Sequence, residues 1–236
     1  MYRKTARYYD KIYAFKDYEA ESRRLGERVE RELGPGRHRL LDVACGTGAH
    51  LAHLQECCEV EGLDRSPELL EVARERLPSV RFHCGDMRDF RLPSRFDVIT
   101  CLFSAIGYMT TLEDLALAIR TMGDHLSVEG ILIVEPWFTP DQWMPNTVHA
   151  ELVDEPELKI ARVNTSLVEG TISVVDLHHL IATPEGTSHV VEEHRLGLFT
   201  VEEMTRAFEA AGLTVQYDAE GLTGRGLYVA RKNARA

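Results

Sequence analysis

The sequence predicts an α/β protein built on a doubly wound, mostly parallel sheet with an inserted antiparallel β subdomain. Short apolar runs alternate with helical patterns over the first half of the 236-residue chain, which is typical of strands joined by helices on both faces of a sheet. Between Val148 and Phe199 the sequence shows alternating stretches and no long helical pattern, which predicts antiparallel strands. A chain of this length accommodates one large domain with such an insert.

Five strands and three helices are predicted in the first half. The first strand is a short apolar run that ends in a glycine-rich turn. Ser66 as the N-cap and Pro67 at the first helical position start one of the helices, and Pro78 ends it. Gly130 is expected to separate the last of these helices from the fifth strand. The strands are expected at 39–44, 60–64, 80–84, 96–102 and 131–134, and the helices at 49–56, 66–76 and 111–126.

The second half is predicted to hold the insert and the last elements of the sheet. Three alternating stretches look like antiparallel strands, with turn residues between them at Gly170 and 184–186. Thr200 and Glu203 form a capping box at the start of a helix that Gly212 ends. The insert strands are expected at 162–168, 171–181 and 188–198, the helix at 200–211, and two closing strands at 213–217 and 227–231.

Charge and cysteine content exclude several classes of function. The chain has 27 basic and 38 acidic residues, a net charge of −11, and so lacks the positive field that nucleic acids and anionic membranes attract. No apolar run approaches the ~20 residues of a membrane span, and the N-terminus does not resemble a secretory signal. The five cysteines form no C-x-x-C pair and the histidines lack ligand spacing, so we expect reduced thiols, no metal site and a cytoplasmic location.

The segment Leu41–Gly48 reads Leu-Asp-Val-Ala-Cys-Gly-Thr-Gly and lies at the end of the first predicted strand. Gly46 and Gly48 allow backbone to approach a ligand closely, and the following helix offers free N–H groups. A dinucleotide fingerprint would have a third glycine where Leu51 stands, and Asp42 would repel a pyrophosphate. The segment therefore favours a neutral or cationic ligand, and a plain strand–helix turn is the alternative.

Acidic residues also follow the second and third predicted strands. Asp64 lies 18 residues after Gly46, where a carboxylate can bind both hydroxyls of a ribose. Asp86 could accept a hydrogen bond from an adenine amino group, and Met87 could pack against the ring. Each residue alone would also fit a surface turn. Because the carboxyl ends of parallel strands meet at one edge of a sheet, the three positions together predict one nucleoside site.

This constellation resembles the class I S-adenosylmethionine-dependent methyltransferases. The segments 86–91, 135–137 and 223–227 are similar to the N,N-dimethyltransferases that act on TDP-linked amino sugars of macrolide pathways. Asp64 stands where that family usually has Glu, and Phe138 where it usually has a second Trp. These departures concern the choice of sugar rather than the cofactor.

The resemblance implies a division of the chain into three parts. It implies a Rossmann-like domain that binds S-adenosylmethionine, an N-terminal helical lid and a four-stranded antiparallel insert that shapes the acceptor site. The lid would comprise residues 1–36, the cofactor-binding domain residues 37–145 and 199–236, and the insert residues 146–198.

The resemblance also implies roles for single residues. Tyr108 and Tyr2 would be the catalytic residues that orient the acceptor nitrogen, and Trp137, His178 and Arg225 would contact the substrate. Arg225 would bind a diphosphate, because a guanidinium pairs bidentately with phosphate oxygens. From the residues alone, a surface arginine and tyrosines packed against the core are the alternatives. The cofactor-binding residues would be Tyr9, Tyr13, Tyr18, Asp42, Ala44, Gly46, Gly48, Asp64, Arg65, Asp86, Met87 and Cys101.

The interpretation is therefore a methyltransferase that acts on the amine of a nucleotide-linked sugar. Other small-molecule nitrogen or oxygen acceptors, and a non-catalytic cofactor-binding protein, are the alternative hypotheses. The expected partner is a small-molecule acceptor, not nucleic acid or membrane, and the sequence is compatible with a homodimer. No histidine or carboxylate could be placed at the Tyr108 loop, so we expect catalysis by in-line positioning of nitrogen, methyl carbon and sulfur.

Overall fold

The computed structural model describes residues 5–232, so the prediction for Tyr2 lies outside the described residues. The helices are α1 (Tyr9–Ile12), α2 (Tyr18–Leu33), α3 (Ala49–Leu54), α4 (Pro67–Arg76), α5 (Leu112–Asp124) and α6 (Val201–Ala210), with 3₁₀ turns at Ala6–Tyr8 and Ala105–Tyr108. The strands are β1 (Arg39–Val43), β2 (Glu59–Asp64), β3 (Arg81–Cys84), β4 (Phe96–Cys101), β5 (Leu126–Val134), β6 (Val148–Glu155), β7 (Leu158–Glu169), β8 (Ile172–Thr183), β9 (Gly186–Gly197), β10 (Leu213–Asp218) and β11 (Leu227–Lys232).

Two separate sheets organise the molecule. The larger sheet has seven strands in the order β10-β11-β5-β4-β1-β2-β3, and β1 to β5 run parallel. β11 runs antiparallel to both of its neighbours, β5 and β10. The chain winds outward in both directions from the adjacent strands β1 and β4, and such a switch point opens a crevice at the carboxyl ends of the strands. The predicted wound, mostly parallel sheet is confirmed.

The predicted helix starts are formed as side-chain caps. The Ser66 hydroxyl accepts the N–H of Leu69 at 3.3 Å, with Pro67 next to it at the first helical position. Thr200 and Glu203 exchange both bonds of a capping box, at 3.1 and 2.9 Å. These local contacts explain why the helix starts could be read from short sequence patterns.

The larger sheet is buried on both faces, because neighbouring residues of its strands enter different core clusters. Leu41 and Ile99 belong to the cluster beneath α5 and α6, whereas Leu40 and Val98 belong to the cluster beneath α2 and α3. All four side chains are fully buried. Parallel strands covered on both faces read as continuous apolar runs, which is the pattern that predicted them.

The smaller sheet contains β6 to β9 in sequential antiparallel order. β6 was not predicted as a separate strand, and the reason is that it lies at the sheet edge with most of its side chains exposed. Ile160 and Ile181 of this sheet pack against Ile12 of α1 in a third apolar cluster. The N-terminal segment is therefore docked on the insert.

The predicted break at Gly130 is wrong. α5 ends at Asp124, and β5 continues through Gly130, where its pairing with β4 shifts register between Phe96 and Val98. A Cβ at Gly130 would lie 3.1 Å from the carbonyl oxygen of Phe96, so glycine permits a close approach inside a bulged strand. In the part of the chain that the structure describes, no helix is long and apolar enough to cross a membrane.

Candidate active site

A cavity of about 910 Å³ lies at the carboxyl ends of β1 to β5, between the larger sheet and the insert. Its walls come from the glycine-rich loop, the N-terminal tyrosines, the loops that follow β2 to β5, and the inner face of the insert. Most of the predicted site residues line it: Tyr9, Tyr13, Tyr18, Asp42, Ala44, Gly46, Asp64, Arg65, Asp86, Met87, Tyr108, Trp137 and Arg225. Segments far apart in sequence thus form one site.

Asp64 braces the glycine-rich loop from the end of β2. Its carboxylate accepts the N–H of Gly46 at 2.9 Å and the N–H of Ser66 at 2.8 Å. Burial raises the pKa of this carboxyl, and the backbone N–H groups that it accepts oppose the rise. Gly46 has a φ of +56°, and a Cβ added there would meet no atom within 4 Å, so the loop leaves open space for a ligand.

Asp42 places a buried carboxylate beneath the cavity. It is 2% exposed and accepts the Thr100 hydroxyl proton at 2.7 Å. Burial raises its pKa to about 6, and neighbouring His50 and the Thr100 hydroxyl counteract part of that rise. A buried carboxylate of this kind favours a cationic group of a ligand, because the cation would compensate the cost of its ionisation.

Asp86 forms an ion pair with Arg88 that the sequence analysis did not predict. Its two oxygens accept hydrogen bonds from the guanidinium of Arg88 at 3.0 and 2.9 Å, and this contact holds the pKa of Asp86 below its usual range. Arg88 also bridges to Asp114 at 3.2 Å. Any hydrogen bond from an adenine amino group would therefore share the carboxylate with Arg88, while Met87 lies in the cavity wall.

Residues 9–18 belong to the predicted N-terminal lid and line the cavity with aromatic side chains. The rings of Tyr9 and Tyr13 are 4.6 Å apart, and Tyr13 meets Phe103 edge-on at 5.3 Å. Asp10 ties this lid to the glycine-rich loop by accepting the Thr47 hydroxyl proton at 2.7 Å and by pairing with Arg76.

A buried ion-pair network anchors the end of the lid. Lys16 forms an ion pair with Glu21, and the Glu21 carboxylate also lies 2.9 Å from Nε2 of His50. The ring of Tyr18 packs edge-on against the ring of His50, and burial raises the pKa of the Tyr18 phenol. These contacts hold the three predicted lid tyrosines at the cavity.

Arg225 points into a ring of aromatic side chains on the acceptor side. Its guanidinium carbon lies 5.9, 5.4 and 5.2 Å from the ring centres of Phe103, Trp137 and Phe138. It donates to the Ser104 hydroxyl at 3.1 Å and forms no ion pair within residues 5–232. The arginine that the sequence analysis singled out, Arg225, therefore has no carboxylate partner among the residues that the structure describes.

Glu135 lies behind the cavity wall, and sequence reasoning gave it no role of its own. It is fully buried, accepts the N–H of Phe103 at 2.6 Å, and accepts the Thr223 hydroxyl proton at 2.6 Å. It thereby joins the loop after β4 to the loop that carries Arg225. The sequence feature that could have drawn attention to Glu135 is its place in the segment 135–137, which also contains Trp137.

Tyr108 has a partner that the sequence did not reveal. Its hydroxyl lies 2.7 Å from Nδ1 of His194, which is 86 residues further along the chain in β9. Burial lowers the pKa of His194 to about 4, so the imidazole is neutral at pH 7 and Nδ1 can accept the phenol proton. The folded chain thus places a histidine beside Tyr108 although none is close to it in the sequence.

Three predicted residues are not brought to the cavity. Gly48 packs against α4, where an added Cβ would lie 3.4 Å from Leu77, and Cys101 is fully buried inside β4. His178 is exposed on the outer face of the insert and stacks on His189 at 5.3 Å, so the structure does not support its predicted contact with substrate. In residues 5–232 no group of three His, Cys, Asp or Glu side chains could hold a metal ion.

The wound sheet with its reversed strand β11 and a cavity at the switch point is the fold of the class I methyltransferases. A family model of the methyltransferase domain matches residues 40–130. The chain belongs to the family of class I S-adenosylmethionine-dependent N-methyltransferases that contains the dTDP-amino-sugar N,N-dimethyltransferases. Its cofactor is S-adenosylmethionine.

Individual relatives cover nearly the whole chain. It is 41% identical over 222 residues to dTDP-3-amino-3,6-dideoxy-α-D-glucopyranose N,N-dimethyltransferase of Streptomyces fradiae, across 93% of this chain and 87% of the relative. It is 39% identical over 228 residues to dTDP-4-amino-2,3,4,6-tetradeoxy-D-glucose N,N-dimethyltransferase of Saccharopolyspora spinosa, across 95% and 91%. The structure of CalS10 with bound SAM, an amino pentose methyltransferase of Micromonospora echinaspora, superimposes with a TM-score of 0.83 at 38% identity, across 92% of each chain.

Proposed function

We propose that this enzyme methylates the amine of a nucleotide-linked amino sugar. The observation that carries the proposal is Arg225, a guanidinium without an ion-pair partner in residues 5–232, framed by Phe103, Trp137 and Phe138. A planar guanidinium binds the oxygens of a diphosphate bidentately. Two relatives at 41% and 39% identity are named for dTDP-amino-sugar acceptors, which supports the same ligand class here.

The cofactor side of the cavity fits the chemistry of S-adenosylmethionine. Asp42 would face a cationic part of the cofactor, Asp64 would bind the ribose hydroxyls, and the open space at Gly46 would admit the ligand against the loop. When bound, the cofactor supplies an electrophilic methyl group on a sulfonium.

The acceptor side acts by orientation. In the neutral tautomer of His194 whose Nδ1 accepts the Tyr108 proton, the phenol oxygen is free to accept an N–H of the sugar amine and direct the nitrogen lone pair. Holding reactants in line can contribute ~7–11 kcal/mol in favourable cases. A free amine with a pKa of ~8 has a useful unprotonated fraction near neutral pH, so no strong base is required.

A substrate panel tests the proposal. The enzyme and labelled S-adenosylmethionine are incubated with dTDP-3-amino and dTDP-4-amino sugars, the free amino sugars and the corresponding dTDP-hydroxy sugars. We expect label in one of the dTDP-amino sugars, with mass spectrometry counting one or two methyl groups. Methylation of a hydroxy sugar would favour an oxygen acceptor, equal turnover of free sugars would contradict the nucleotide requirement, and no turnover despite cofactor binding would favour a non-catalytic binder.

A further inference from the structure

Arg162, in β7, is a buried cation without a counter-charge. Its side chain lies in the cavity wall, and the residue is 8% exposed. Its Nε is fully buried and has no hydrogen-bond partner, and within residues 5–232 the guanidinium forms no ion pair. The guanidinium instead packs over the ring of Tyr13, whose centre lies 5.1 Å from the guanidinium carbon.

The neighbouring strands do not neutralise this charge. Glu151 of β6 lies opposite Arg162 in the sheet register and lines the same cavity, but the two side chains do not form an ion pair. On the other side, His179 of β8 is opposite Arg162, and burial lowers its pKa, as does the positive charge of Arg162. His194 is likewise held neutral by burial, so neither histidine carries a charge beside Arg162.

Two other arginines, which contact the cavity-lining residues Thr47 and Asp86, have carboxylate partners. Arg76 pairs with Asp10, and Arg88 pairs with Asp86 and Asp114. A charge withdrawn from water without a partner is unfavourable, so a site that keeps one is suited to a ligand that carries the opposite charge.

Resting on the proposed function, we infer that Arg162 is a second anion-binding residue of the acceptor site, which holds the diphosphate together with Arg225. Tyr13 contacts Arg162 at 5.1 Å and Phe103 at 5.3 Å, and Phe103 in turn lies 5.9 Å from Arg225. Arg162 thus lies beside Tyr13 and Arg225 beside Phe103, so two contacting rings lie between the guanidinium groups, and two positive charges suit the multiple negative charges of a diphosphate.

The carboxylate of the cofactor is the other source of anionic oxygens. We commit to the diphosphate because Arg162 belongs to the insert, whereas Asp42, Gly46 and Asp64 lie at the edge of the larger sheet. Asn164 and Ser166 extend the inner face of β7 from Arg162 along the cavity wall, and they add polar groups on the acceptor side.

Calorimetric titration distinguishes whether Arg162 binds the diphosphate of the acceptor or the carboxylate of the cofactor. Wild type, Arg162→Met, Arg162→Lys and the matched control Arg195→Met are titrated with dTDP, thymidine and S-adenosylhomocysteine. Arg195 belongs to the same sheet but pairs with Glu169 near the surface. We expect Arg162→Met to weaken dTDP binding about tenfold to a hundredfold, with thymidine and S-adenosylhomocysteine unchanged, and Arg162→Lys to restore part of the loss.

Each other result overturns the inference. Unchanged dTDP affinity in Arg162→Met, with normal binding by wild type, removes the role of Arg162 and leaves the proposed function intact. Weaker S-adenosylhomocysteine binding with unchanged dTDP binding assigns Arg162 to the cofactor. If wild type neither binds dTDP nor methylates dTDP-amino sugars, the proposed function fails, and the inference fails with it.

Thermal melting distinguishes ligand binding from a structural role. Without ligand, Arg162→Met should melt no lower than wild type, because the substitution removes an uncompensated charge. Its melting temperature should respond less to dTDP than that of wild type. A lower melting temperature without ligand, combined with a wild-type response to dTDP, would make Arg162 a structural residue.

Discussion

The two sides of the cavity are built in different ways. On the cofactor side, Asp64 braces Gly46 and Ser66, which lie 18 and 2 residues away. On the acceptor side, Tyr108 meets His194 across 86 residues, and Arg225 meets Ser104 across 121. The cofactor side is thus made of short motifs at consecutive strand ends, whereas the acceptor side is assembled from loops and the insert. Substitutions on one side should leave ligand binding on the other side unchanged.

The largest expected effect is on the cofactor side. Asp64→Ala removes the carboxylate that holds the loop and would bind the ribose, so S-adenosylhomocysteine binding should weaken by ~1.5–3 kcal/mol, as for a lost charged hydrogen bond. Calorimetry measures this, with dTDP titration as the internal control. Unchanged cofactor affinity would refute the ribose assignment, and equal losses for both ligands would refute the independence of the two sides.

Arg225→Ala is the corresponding test on the acceptor side. Loss of its contact with the diphosphate should raise the acceptor KM about tenfold or more, while cofactor affinity stays at the wild-type value. Arg225→Lys should recover part of the loss, because an ammonium lacks the planar fork of guanidinium. Steady-state kinetics with varied acceptor provide the measurement; an unaffected KM would mean that Arg225 is a surface charge.

The raised pKa of Asp42 predicts that cofactor affinity depends on pH, whereas acceptor affinity is not affected by this group. A cationic ligand prefers the ionised carboxylate, and the pKa of Asp42 is raised to about 6, so cofactor affinity should rise as pH increases through about 6 and level off above it. Affinities measured between pH 5 and 8 should show this rise, and Asp42→Asn should abolish it. Comparing S-adenosylmethionine with S-adenosylhomocysteine shows whether the sulfonium contributes. An affinity that is flat across this range would contradict the contact.

Tyr108→Phe should have the smallest effect. If Tyr108 orients the amine without acting as a base, its loss should lower kcat less than tenfold, whereas Tyr108→Ala should cost more through misorientation. The pH profile of kcat/KM should rise once with the pKa of the substrate amine. A loss above ~10³-fold in Tyr108→Phe would mean that the hydroxyl and His194 take part in proton transfer.

These contrasts match what could be read from the sequence. The helix starts at Ser66 and Thr200 depend on contacts within three residues, and they were predicted correctly. The strand–helix turn around Gly46 was also predicted from a short motif, and the role of its residues in cofactor binding stays a prediction. By contrast, β6 and the continuation of β5 through Gly130 escaped prediction, because an exposed edge and a bulge depend on neighbouring strands.

His178 and His194 show most directly what could not be predicted from the sequence. Alternation along β8 correctly implied that His178 and His179 point to opposite faces, but it could not say which face would meet the cavity. That choice depends on how the insert packs against α1 and the larger sheet. His194 reaches Tyr108 only because β9 crosses the loop after β4, a contact with no local signal.

The sequence by itself determined the wound sheet, its helix caps and the cofactor motifs, because each depends on hydrogen bonds and apolar periodicity within short segments. The tertiary structure alone decided the acceptor side: that Glu135 joins two loops, that His194 contacts Tyr108, and that Arg162 is buried without forming an ion pair in the part of the chain that the structure describes. Burial and long-range pairing create these properties, since the cost of a charge depends on the atoms that replace water around it.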